Sequence, residues 1–146
     1  MTATYEGFTA EERAAMKEHA KDQKKAARRT SAAEKAAEAA RDVLTKIAEM
    51  SDTDRVIAER VHTVITTAAP QLAPKLWYGM PAYALNGKLV CFFQSADKFK
   101  SRYPTLGFTD QAALDDGTMW PAAYALTAIT PDTESSITAL VKQAVN

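Results

Sequence analysis

The chain has 146 residues, the length of one domain, and its 47% hydrophobic and 25% charged content excludes a wholly disordered polymer. Eighteen basic against eighteen acidic side chains leave no net charge, so no whole-molecule field points to nucleic acid or to an acidic substrate. One cysteine excludes a disulfide framework and suits a reducing, cytoplasmic setting; no run approaches the ~20 apolar residues of a membrane span and no secretory apolar stretch opens the chain, so no membrane partner is expected.

Three helices are predicted before residue 70. Residues 10–50 hold thirteen alanines and many charges but no proline, glycine or aromatic, which favours helix throughout. Thr9 with Glu12 forms a capping box opening a helix to about Arg29, and Ser31 with Glu34 forms a second box opening another. Val43, Leu44, Ile47 and Met50 give that second helix an apolar stripe only in its last turns. Ser51 and Asp52 restart the pattern, and Ile57, Val61, Val64, Ile65 and Ala68 repeat at helical spacing until Pro70 and Pro74.

Ten of the twelve aromatics lie between Trp77 and Tyr124, where branched and aromatic residues predict strands. A strand begins at Lys75, and Gly79 with Pro81 predicts a bulge or bend in it. Asn86-Gly87 joins the strands Ala82–Leu85 and Lys88–Gln94 in a hairpin, because both turn positions need positive φ. Further strands are expected around Ser101–Phe108 and Thr118–Thr127. The last helix has Thr130 as cap, Pro131 at its first position and Glu134 in its first turn; Ile137, Leu140, Val141, Ala144 and Val145 form its packing face. The expected fold is therefore two-layer α+β, a mainly antiparallel, curved sheet of about five strands packed by helices. Residues 1–42 form a charged, alanine-rich helical extension and residues 43–146 the α+β domain.

The run Trp77-Tyr78-Gly79-Met80-Pro81-Ala82-Tyr83, followed by Gly87-Lys88 and the apolar strand to Phe93, resembles the YdhG-like family (DUF1801). Tyr103–Phe108 and Leu114–Pro121 resemble its actinobacterial-type branch. The resemblance implies a frataxin-like α+β domain and a non-enzymatic binding role, with intracellular iron chaperoning as its one specific activity. Many members carry a histidine after the Gly-Lys strand; here the corresponding run is Asp97-Lys98-Phe99-Lys100.

Three candidate sites follow. Trp77, Tyr78, Met80, Tyr83, Tyr103 and Trp120 come from successive strands and would line a cleft for a small molecule near the Gly79–Pro81 bend, against the alternative of a filled core. Asp110, Asp115 and Asp116 supply hard oxygen donors suited to weakly bound iron, although Asp115 and Asp116 before Gly117 also read as turn formers. Between Arg13 and Arg29 seven basic residues face two acidic ones, a local balance of +5, and positions 17, 21, 24, 25 and 28 share one helix face. That face suits an acidic protein or nucleic acid as partner, or else is a solvated helix surface. Cys91 reads as an inert buried thiol, and no phosphate loop, nucleophile elbow or His-Glu-x-x-His motif occurs.

Overall fold

A computed structural model of the chain, describing residues 9–146, begins with α1 (Ala10–Ala48). The Thr9 hydroxyl accepts from the Glu12 N–H at 3.1 Å and donates to the Glu12 carboxylate at 3.4 Å, so the first predicted cap forms. The second does not. Helix continues through Ser31, and the Thr30 hydroxyl donates back to the Ala26 carbonyl at 3.0 Å. Alanine-rich flanks without proline or glycine make propagation cheaper than a new start, and a side chain bonded within the helix offers nothing to a break.

The chain divides into two units, Met1–Ala37 and Glu38–Asn146. In the second unit Ala39 and Ala40 are half-buried and Val43 is fully buried. Residues 1–8 of the expected extension lie outside the described residues. In the first unit every described residue is exposed.

The second unit is α+β. The end of α1 is followed by α2 (Asp52–Ala68), β1 (Ala73–Trp77), β2 (Met80–Leu85), β3 (Lys88–Gln94), α3 (Ala96–Phe99), β4 (Thr105–Phe108), β5 (Ala123–Ala125) and α4 (Pro131–Ala144). The strands form an antiparallel meander in chain order. Pro74 sits inside β1 rather than ending α2; β1 is an edge strand, where a missing N–H costs no ladder bond.

Residues facing one side of the sheet, among them Tyr83, Cys91, Phe93, Leu106 and Phe108, meet Val43 and Ile47 of α1, the Ile57–Val61–Ile65 face of α2 and Ile137–Val141–Ala144 of α4 in one core. Thr130 caps α4 by accepting from the Thr133 N–H at 3.2 Å, as its sequence predicts. The expected interruption at Gly79–Pro81 is a hairpin turn: Trp77 pairs with Met80, and Tyr78 and Gly79 take φ of 49° and 74°. Asn86 and Gly87 repeat that geometry at 51° and 84°, the positive pair a two-residue hairpin of this twist needs. The bulge lies elsewhere, at the register shift between Tyr83 and Ala84, opposite Val90.

Tyr83 is 1% exposed, and its hydroxyl shares a hydrogen bond of 2.8 Å with Nδ1 of half-buried His62. Burial holds the His62 ring below its ordinary value and pushes the Tyr83 phenol up, helped by Cys91. Because the unfolded ring takes a proton more readily than the folded one, the stability held by neutral His62 is complete above about pH 6.5 and is lost as the pH falls from there through the folded value. Urea midpoints across that range are expected to fall less steeply for His62→Gln than for the parent chain. Parallel curves would show that the ring titrates alike in both states.

Candidate functional site

Beside the Tyr78-Gly79 turn the second unit opens a cleft of about 240 Å³. Three pieces of chain converge there because their ends are tied together. Ser51, the N-cap residue of α2, donates its hydroxyl proton to the Asp54 carboxylate at 3.3 Å. Asp54, in the first turn of α2 and 3% exposed, accepts from the Ala96 N–H at 3.2 Å and the Asp97 N–H at 2.9 Å. One carboxylate thereby fastens the start of α2 to the start of α3, more than forty residues later in the chain. Lys98, on α3, in turn donates from Nζ to the Tyr78 carbonyl at 3.1 Å. Gly79 is required twice: its φ is positive, and a Cβ there would run into the Lys98 ammonium.

Met50, Met80, Pro81 and Phe93 give the cleft its apolar surface. Lys46 and Glu49, an ion pair at 3.8 Å, stand on the α1 side, while Ser95, Asp97 and Lys98 stand on the α3 side. Asp54 is engaged by three donors and acts as the anchor of the cleft rather than as a free ligand group. Lys46, Glu49, Asp97 and Lys98 carry charges of both signs around thioether and aromatic surface. This geometry can seat a small molecule bearing separated positive and negative groups.

The six residues expected to line one cleft are dispersed. Only Met80 lines this one. Tyr83 is core, because its position in β2 points it at the helices. Trp77 is half-buried and faces the sheet's other side, its ring 5.2 Å from that of Phe92 and 5.2 Å edge-on from that of Tyr78. Tyr78 stands at the hairpin tip, 80% exposed, in a left-handed conformation that costs a non-glycine residue about 1 kcal/mol. Tyr103 lies under the Arg102 guanidinium at 4.9 Å. Trp120 lines a separate cleft of about 360 Å³ together with Asp110 and Asp115. Asp116 does not join them, and no group of three or more His, Cys, Asp or Glu able to hold a metal ion occurs among the described residues. Strand alternation puts Met80 and Tyr83 on opposite faces of β2, and Tyr78, Tyr103 and Trp120 lie in turns and loops outside the strands.

Cys91 is fully buried and its thiol is pushed up to about 12 by burial, so it stays protonated and unreactive. No described helix is long and apolar enough to cross a membrane.

Residue types alone did not mark Ser51, Asp54 or Ser95 for this cleft. Comparison of the chain with protein-family models, with curated proteins and with solved structures finds no match.

Proposed function

We propose that this chain is a cytoplasmic, non-enzymatic binding protein of YdhG-like type that holds a small zwitterionic molecule in the cleft beside the Tyr78-Gly79 turn. The observation that carries this reading is the convergence of Lys46, Glu49, Asp97 and Lys98 around the Met80–Phe93 surface. At about 240 Å³ the cleft is below the roughly 300–1,000 Å³ common for drug-sized ligands, so its ligand is of amino-acid size. The resemblance of residues 77–83 to the YdhG-like family supports the same place. An organic ligand suits the donor set better than iron, because the buried carboxylate, Asp54, already accepts three hydrogen bonds.

Titration of the isotope-labelled full chain with free amino acids, and separately with matching amines and carboxylic acids, tests the reading by amide resonances. Saturable shifts at Met80, Ser95, Asp97 and Lys98 with a zwitterion are expected, weakened at least about tenfold in Lys98→Gln, the equivalent of losing one charge-assisted contact. Shifts absent across the panel, or centred elsewhere, would overturn it. Saturable broadening by ferrous iron around Asp110, Asp115 and Asp116 would favour iron handling in its place.

A further inference from the structure

The unbroken course of α1 changes what its basic face amounts to. At 3.6 residues per turn, Lys17, Lys21, Lys24, Lys25 and Arg28 fall within an arc of about 100°, and helix continuing through Ser31 brings Lys35 onto the same arc. Glu18 and Asp22 fall outside it, and the other residues on the arc between positions 14 and 35 are Ala14 and Ala32. Six cations therefore lie in one row about 27 Å long, comparable with about eight base-pair steps of B-form duplex. Every one of them is exposed.

We propose that this row, from Lys17 to Lys35, is a docking surface for duplex nucleic acid, gripping phosphates without reading bases. The inference is independent of the cleft and rests on the first unit alone. Charge complementarity selects the partner: the row is wholly cationic, whereas the chain as a whole is neutral. An acidic protein is a poorer occupant, because protein interfaces draw their affinity from desolvated aromatic and apolar anchors and this arc has only alanine methyls beside the charges. A single strand is poorer too, since such strands are held by stacking on aromatic rings and residues 10–50 contain none. A membrane needs large apolar side chains opposite the cations, and α1 there carries alanines mixed with polar residues such as His19, Gln23, Thr30 and Glu34. Five of the six cations are lysines, point charges that suit phosphate oxygens.

The test is fluorescence anisotropy of the full chain with a labelled, mixed-sequence DNA duplex longer than the row. Six phosphate contacts predict a log–log salt slope of about −5, equivalent to about a thousandfold loss of affinity between 50 and 200 mM salt. Replacing all six cations by glutamine keeps helix propensity, which circular dichroism checks, and is expected to weaken binding at least about thirtyfold at 50 mM salt and to flatten the slope. Replacing the five lysines by arginine is expected to retain both. A parent chain that leaves the duplex unbound at 50 mM salt, or a six-glutamine variant that binds like the parent, overturns the proposal. So does tighter capture of polyglutamate or of phosphatidylserine-containing vesicles than of the duplex, which would assign the row to an acidic protein or a lipid surface.

Discussion

Asp54→Ala is expected to lower folding stability by about 3 kcal/mol, the cost of orphaning buried donors that now meet a charged acceptor. The carboxylate is 3% exposed and accepts from the Ala96 and Asp97 amides and the Ser51 hydroxyl. Alanine removes all three hydrogen bonds at once and leaves the Ala96 and Asp97 N–H groups at the start of α3 without that acceptor. Asp54→Asn keeps the shape and one carbonyl oxygen but points an N–H₂ group at neighbouring donors, so a loss of about 2 kcal/mol is expected. Urea denaturation measures both, and a midpoint unchanged in Asp54→Ala would mean that α3 is held by other contacts. Because the same carboxylate ties α2 to α3 across the cleft, the alanine variant should also lose the ligand-induced shifts at Ser95 and Asp97.

The second large effect concerns the sheet face away from the helices. Gly107 pairs with Phe92 across β3 and β4, and a Cβ at Gly107 would lie within 2.8 Å of both Cε atoms of the Phe92 ring. Trp77 packs against that ring from β1, so the ring has little room to swing away. Gly107→Val is therefore expected to destabilise by about 3 kcal/mol, at the upper end of overpacking costs. In a Phe92→Ala background the same change should cost nearly nothing, since valine then fills the space and suits a strand. Thermal or urea unfolding of the four members of this cycle gives the coupling directly. An equal cost in both backgrounds would show that glycine is needed for its backbone and not for the ring.

Much of the fold was legible because it rests on short-range chemistry. The Ile57–Val61–Ile65 repeat predicts the buried face of α2, Thr130 and Pro131 the start of α4, and Asn86-Gly87 the β2–β3 hairpin, each by interactions within a few residues. The misreadings share one cause. Ser31 with Glu34 satisfies a capping pattern, but whether a cap is used depends on whether the chain leaves the helix there, and nothing local makes it do so. Tyr78-Gly79 was not legible as a two-residue turn because tyrosine is a rare occupant of positive φ; only the pairing of Trp77 with Met80 forces it. Of the six residues expected to share a cleft near Gly79–Pro81, only Met80 lines the one beside that turn, because the rest are placed by register and loop course rather than by residue type.

Sequence by itself determined the α+β class, the periodic helix faces, the hairpin at Asn86-Gly87 and the excess of cations near the N-terminus, since propensity, spacing and charge act along the chain. Tertiary structure alone decided which aromatics share a face, that Asp54 reaches residues 96 and 97, and that Lys46 and Lys98 stand around one cleft. Those facts depend on strand register and helix packing, which sum many weak contacts between distant segments. No window of neighbouring residues contains them.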